Sequence, residues 1–212
     1  MRGALVTLAL LLLATGCGGG GEASDTTANG ECENVEQPAP RQPETLAAPT
    51  EALQDGTTYA LTFETNCGRF VVDLDTALAP NTAASLVALA GRGYFDDTLF
   101  HRIVPGFVIQ GGDPTQTGSG GPGYKTVDAP PQDSRYVKGT FAMAKTQAEP
   151  AGTSGSQFFV VTGEDVGLPP DYAIVGEITD GLDVVGRIAE LGGANERPTQ
   201  PVVIRRVVVN ES

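Results

Sequence analysis

One stretch of this chain gathers a cation, an imidazole, an amide side chain and apolar aromatics at close spacing: Phe100-His101-Arg102-Ile103-Val104-Pro105-Gly106-Phe107-Val108-Ile109-Gln110-Gly111-Gly112-Asp113. Arg102 is a planar cation that keeps its proton at ordinary pH and offers five donors in a fixed fork. Phe107 and Val108 supply an apolar surface beside it, and Gln110 a neutral polar group. Covalent chemistry is poorly supported. His101 is the one histidine of the chain, it has no serine or cysteine arrangement with a charged partner, and Gly152-Thr153-Ser154-Gly155-Ser156 does not fit the G-x-S-x-G elbow. His101 therefore reads as structural. Gly118-Ser119-Gly120-Gly121-Pro122-Gly123 formally matches G-x-G-x-x-G, yet no helical pattern follows and Pro122 would interrupt one. It reads as a flexible loop. One histidine and three cysteines make no cluster at metal-ligand spacing, so neither metal nor cofactor is expected. A formal charge of −13 from 26 acidic and 13 basic side chains would repel phosphate backbones and excludes nucleic acid as a natural partner.

The elements that must position these residues are short. Tyr59–Phe63 and Phe70–Leu74 flank Thr65-Asn66-Cys67-Gly68, the pattern of two strands and a tight turn. Pro80 suits a first helical turn, and Ala83, Leu86, Val87 and Ala90 recur at helical spacing before Gly91 and Gly93, which predicts one helix with that buried face. Further β-like runs cover 98–104, 107–110, 140–143, 158–161, 173–178 and 202–209, with a second helix near 182–190. Eight strands and two helices, 28 glycines, 15 prolines and no tryptophan favour a mostly-β class; periodicity alone leaves barrel and sandwich both open.

The Phe100–Asp113 run resembles the active-site signature of the cyclophilins almost residue for residue. A second block, Gly139-Thr140-Phe141-Ala142-Met143-Ala144 followed by Gly155-Ser156-Gln157-Phe158-Phe159-Val160, resembles the other pocket wall of that family, and the likeness extends over roughly 57–209. It implies a closed eight-stranded antiparallel β-barrel capped by two α-helices, with a proline-binding groove on its outer surface. It also implies peptidyl-prolyl cis/trans isomerisation without cofactor or metal. Arg102 matches the catalytic arginine of the family. Phe107, Val108, Phe159 and Leu168 match the proline pocket, and Gln110 the residue that positions Arg102. Ala144, Lys145 and Gln157 fall where relatives contact residues before proline, and Tyr172 falls where many carry histidine. The usual rim tryptophan is replaced by Gly167, which implies weaker binding of the cyclic-peptide inhibitor of the family. A different reading of the same groove is a peptide-binding or chaperone module whose turnover is incidental.

The chain begins with Arg2, an apolar run from Ala4 to Leu13, and Ala14-Thr15-Gly16-Cys17, a secretory pattern with small residues before the cut. The run is too short to span a bilayer. Cysteine after Ala-Thr-Gly resembles a bacterial lipobox, so residues 1–16 are expected to be a lipoprotein signal and Cys17 the acylated first residue of an extracytoplasmic, membrane-anchored chain. Residues 17–56 are rich in Gly, Pro and acids and lack aromatics, the composition of a flexible tether. Residues 57–212 then form the isomerase-like domain. In an oxidising compartment Cys32 and Cys67 could pair. The expected partners are proline-containing peptides and exported proteins, and nothing requires more than a monomer.

Overall fold

In the computed structural model, residues 30–212 are described; the expected signal and Cys17 lie outside them. Strands β1 (Tyr59–Thr65) and β2 (Gly68–Leu74) form the first hairpin. Thr65 sets its turn: the hydroxyl donates to the Gly68 carbonyl at 2.7 Å and accepts the Cys67 N–H at 3.0 Å. Alternation then aims Leu61, Phe63, Phe70 and Val72 inward, all fully buried, with the rings of Phe63 and Phe70 stacked at 4.8 Å. Helix α1 (Pro80–Ala90) opens on its proline, whose missing N–H has no partner to lose at that position. Its buried face includes Ala83, Leu86, Leu89 and Ala90, while Val87, expected there, is only half-buried. The chain leaves the helix at Gly93, where φ is +66°.

The remaining strands are β3 (Thr98–Leu99), β4 (Arg102–Val104), β5 (Val108–Gly111), β6 (Thr126–Val127), β7 (Thr140–Met143), β8 (Thr153–Ser154), β9 (Phe158–Val161), β10 (Ile174–Asp180) and β11 (Val203–Glu211). Helix α2 (Leu182–Glu190) precedes β11, with a 3-10 turn at Ala194–Glu196 between them. Nine strands pair antiparallel in the order β3-β11-β1-β2-β10-β7-β9-β5-β4, and β6 pairs with β8 separately. The closed eight-stranded barrel is thus corrected to a strongly curled half-barrel of nine strands with two helices. The physical reason lies in the run 98–104, expected as one strand. Thr98 and Leu99 pair with β11, whereas Arg102 to Val104 pair with β5. Phe100 and His101 turn the chain between the two ladders, so the sheet ends on two strands that are joined covalently and not by hydrogen bonds.

Strands β5, β7 and β9 carry near-continuous apolar runs because both of their faces are covered. Ile109, Phe141, Met143, Phe158 and Val160 join the main core. On the opposite face Val108, Ala142, Phe159 and Val161 form a second cluster with the buried Tyr136. The main core is aromatic at its centre, where Phe158 meets Phe63, Phe100 and Phe141 at centroid distances of 5.2, 5.9 and 4.9 Å.

The described part of the expected tether, residues 30–56, holds neither helix nor strand but lies against the domain. Cys32 and Cys67 are joined by a disulfide, and Leu46 and Leu53 pack on the core. The main-chain N–H groups of Glu33, Arg41 and Leu46 donate to the carbonyls of Asn66, Pro114 and Pro122 at 2.7, 2.9 and 2.8 Å. Composition pointed to flexibility because few apolar side chains are present; these contacts are made largely by backbone, which composition does not report.

Candidate active site

Register across the sheet builds the site. Arg102 on β4 lies opposite Gln110 on β5, Gln110 opposite Phe159 on β9, Phe159 opposite Ala142 on β7, and Ala142 opposite Ile174 on β10. Residues directly opposite in antiparallel strands point to the same face, so this row comes up together on the outer surface. One step along, Val104, Val108 and Val161 form a parallel row. The turn between β4 and β5 is Val104-Pro105-Gly106-Phe107, with the Phe107 N–H donating to the Val104 carbonyl at 3.0 Å and Gly106 at φ +70°. Proline then glycine suits the second and third positions of a type II turn, and it returns Phe107 beside Arg102.

Nine of the residues singled out from sequence line one groove of about 300 Å³: Arg102, Phe107, Val108, Gln110, Ala144, Lys145, Phe159, Leu168 and Tyr172. Gln157 lies in the adjoining depression of about 190 Å³, whose lining also includes Gln110, Ala144 and Lys145. The floor is apolar and firm. Phe159 and Tyr172 meet edge to face at 5.6 Å, and Tyr136 braces Tyr172 from beneath at 6.0 Å. The Tyr136 hydroxyl donates to the Tyr172 carbonyl at 2.6 Å and accepts the Tyr172 N–H at 3.0 Å. Burial pushes the Tyr136 phenol up to about 12. Lys145 closes one side, its ammonium 5.4 Å from the Tyr172 ring centre and 3.1 Å from the Glu149 carbonyl oxygen. Where a rim tryptophan was expected to be missing, Gly167 sits at φ +62° with open space on its side-chain face, and the wall there is thin.

A polar chain holds the arginine. The Arg102 Nε donates to Glu196 Oε2 at 2.6 Å and its Nη1 reaches Gln110 Oε1 at 3.4 Å. The Gln110 amide donates to Gln157 Oε1 at 3.1 Å, and the Gln157 amide donates to the Gly120 carbonyl at 3.0 Å. The guanidinium carbon lies 5.9 Å from the Phe107 ring centre. The Arg102 hydrogen bond holds Glu196 below its ordinary carboxylate value. Gly120 belongs to the loop read as flexible, and a buried aspartate organises that loop: Asp113 accepts the N–H groups of Thr115, Gly118 and Gly120 at 2.8, 2.7 and 3.1 Å. Burial opposes ionisation of Asp113, but these donors together with the Thr115 hydroxyl outweigh it and lower its pKa. His101 is outside the groove; it lines a neighbouring depression with Gln116, Gly118 and Asn195 that shares Arg102 with the groove, and burial lowers its pKa.

Sequence reasoning missed Glu196 and Tyr136. Glu196 reaches Arg102 from a turn in which Asn195 and Glu196 both take left-handed backbone, φ +57° and +62°, which no pattern announces. Tyr136 is isolated between exposed residues and gives no periodic signal.

Such an arrangement defines a class: a mostly-β protein with an open, apolar, peptide-sized groove on the outside of a curled sheet and a fixed guanidinium at its edge. Residues 60–209 match the family model described as cyclophilin type peptidyl-prolyl cis-trans isomerase. A probable peptidyl-prolyl cis-trans isomerase A of Mycobacterium leprae is 38% identical over 169 residues, covering 70% of this chain and 91% of that protein. A peptidyl-prolyl cis-trans isomerase of Arabidopsis thaliana is 35% identical over 162 residues, covering 74% and 98%. A cyclophilin type isomerase from Cryptosporidium parvum superposes with a TM-score of 0.67 at 30% identity, covering 72% and 98%. A second structure of that isomerase, in the presence of the dipeptide Ala-Pro, gives 0.66 at 30% identity, covering 71% and 98%. This chain belongs to the cyclophilin-type peptidyl-prolyl cis-trans isomerases, and its activity is rotation of peptidyl-prolyl bonds.

Proposed function

We propose that the groove binds proline-containing segments of exported proteins and that Arg102 is the catalytic donor. Rotating a peptide bond breaks amide resonance against a barrier of about 18–20 kcal/mol. In the twisted state the nitrogen becomes pyramidal and recovers a lone pair, and the carbonyl oxygen gives up part of its negative charge. A site that desolvates the amide, clamps the proline ring and donates to that nitrogen binds the twisted state better than either planar one. Phe107, Val108, Phe159 and Leu168 would take the ring; Gln110 would position Arg102; Ala144, Lys145, Gln157 and Tyr172 would hold the flanking backbone. No bond to the enzyme forms and no cofactor is needed.

The observation that carries this reading is the register row that sets Arg102 and Gln110 at the edge of the apolar floor made by Phe159. The Ala-Pro dipeptide present with the Cryptosporidium isomerase supports proline peptides as substrates here. Export and anchoring rest on the Arg2–Cys17 pattern, with Cys17 acylated and the domain held outside the membrane. A protease-coupled assay on an Ala-Pro tetrapeptide tests the catalytic role: Arg102→Ala is expected to lose about a hundredfold to a thousandfold in kcat/KM, and equal rates would overturn it. Radiolabelled palmitate incorporated by wild type but not by Cys17→Ser tests the anchor.

A further inference from the structure

Three depressions adjoin one another on the surface. The groove of Arg102 and Phe159 shares Gln110, Ala144 and Lys145 with the smaller depression that contains Gln157. That depression in turn shares Ser119, Gly120 and Lys125 with a third, of about 820 Å³, which lies between strap residues 40–44 and the loop 119–125. The strap is outside the residues matched by the family model, 60–209, so its wall is an addition to the part of the chain that the family model covers.

Both walls are held in place. Asp113 fixes the loop through the N–H groups of Gly118 and Gly120, and Gly120 has no room for a side chain because a Cβ there would overlap Asp113 Oδ1. On the other side, the Arg41 guanidinium donates to the Tyr94 carbonyl and lies over its ring at 5.6 Å. Gly123 packs so closely on Thr45 that an added Cβ would sit 2.8 Å from its Cα. The charges in the lining are not equivalent. Lys125 is paired with Glu149 at 2.8 Å, whereas Arg41 donates to the neutral Tyr94 carbonyl, with its Nε buried and unpartnered and its guanidinium turned onto the Tyr94 ring. Glu44 is exposed, and its carboxylate has no hydrogen-bond or ion-pair partner among the described residues.

We infer that the strap and the loop 119–125 extend the substrate groove, taking the flank of an extended polypeptide on the Gln157 side of its proline and selecting a basic residue opposite Glu44. This rests on the isomerase reading above. A volume of this size falls in the range of ligand sites, and continuity with the proline groove makes the occupant the same chain that fills that groove. The strap is then a specificity element, absent from the chemistry itself.

The test compares an Ala-Pro tetrapeptide with versions lengthened by about eight residues on one side or the other, carrying either lysine or glutamate in the added flank. Wild type should show a KM about three- to tenfold lower for the version lengthened on one side with lysine. Gly121→Trp fills the third depression from a position where an added Cβ meets nothing within 4 Å; it should erase that gain and leave tetrapeptide turnover unchanged. Glu44→Gln should keep the gain from length but make the lysine and glutamate flanks equal. Equal KM for the tetrapeptide and all lengthened versions, or a gain that survives Gly121→Trp, would overturn the extension. If Gly121→Trp loses tetrapeptide turnover as well, Glu44→Gln decides: a lysine preference that persists there overturns it. A tetrapeptide inert with wild type would sink the isomerase reading instead, and fluorescence anisotropy of the lengthened peptides would still decide the extension.

Discussion

Arg102 is held by the neutral Gln110 at one nitrogen and by the charged Glu196 at another, and the two have different consequences. Gln110 fixes orientation without changing charge; Glu196 sits at the outer end, exposed, and screens the cation from the solvent side. Glu196→Gln should lower kcat/KM by a few-fold while leaving the fold intact, because it replaces the charge-assisted hydrogen bond on Nε with a neutral one and keeps the donor. The pH dependence follows from sign: a carboxylate with a depressed pKa is charged above it, so the wild-type rate should hold down to the ordinary carboxylate range and fall only below pH 4.5. A pH–rate profile of both forms checks this; a profile that Glu196→Gln does not alter would remove the carboxylate from the account. Tyr136 offers an alkaline counterpart. Its pKa is raised above that of an unfolded tyrosine, about 10, so its contribution to stability is complete below that value and disappears as pH rises through about 12. Denaturation midpoints should fall across that window, and Tyr136→Phe should flatten the fall while costing about 1–3 kcal/mol at neutral pH through the stranded Tyr172 backbone groups. The groove residues on the strands were legible because they lie in two continuous blocks. Glu196 was not, since its approach to Arg102 spans 94 residues and comes from a left-handed turn.

At the scale of elements, two glycines separate packing from propensity. Gly176 on β10 is crossed so closely by β2 that a Cβ would lie 2.1 Å from the Asp73 carbonyl oxygen, whereas Gly186 in α2 would meet nothing within 4 Å. Gly176→Ala should destabilise by about 1–3 kcal/mol, and Gly186→Ala should stabilise by about 0.5–1 kcal/mol through backbone entropy alone. Thermal melts of the two variants should shift in opposite directions; a shared sign would show that the strand crossing is looser than described. The sequence patterns located both helices and every strand of the main sheet, because alternation and helical spacing are local properties. They did not separate β3 from β4, since Thr98 to Val104 reads as one β-rich run and only its two different partners divide it. Closure, which the family likeness implied, fails for a related reason: the eighth expected strand does meet the first, as β11 on β1, but β3 and β4 pair with different neighbours and not with each other, a matter of partners that period-two alternation does not encode. The short β6 and β8 pair was invisible at two residues each.

At the scale of the molecule, the N-terminal strap is joined to the first hairpin by the Cys32–Cys67 disulfide across a sequence separation of 35. Chain entropy for a loop of that length predicts a loss of about 3–4 kcal/mol when the bond is removed. Urea titration of Cys32→Ser/Cys67→Ser should show a loss of that size; a loss under about 1 kcal/mol would mean that hydrogen bonds alone hold the strap. Low hydrophobicity made this region read as unstructured, and its ordering comes from a covalent link and main-chain bonds that hydropathy does not measure.

The anchors of the strap have a consequence for how such a protein could be re-engineered. Glu33, Arg41 and Leu46 each dock through a peptide N–H onto a carbonyl of the domain, a connection that nearly any amino acid other than proline can make. The side chains at positions 42, 43 and 44 are exposed, so they can be rewritten without disturbing those attachments. A library randomised at these three positions would therefore vary what the enzyme grips beyond the proline while its fold and its guanidinium stay constant, which makes the strap a replaceable cassette on a fixed catalytic body.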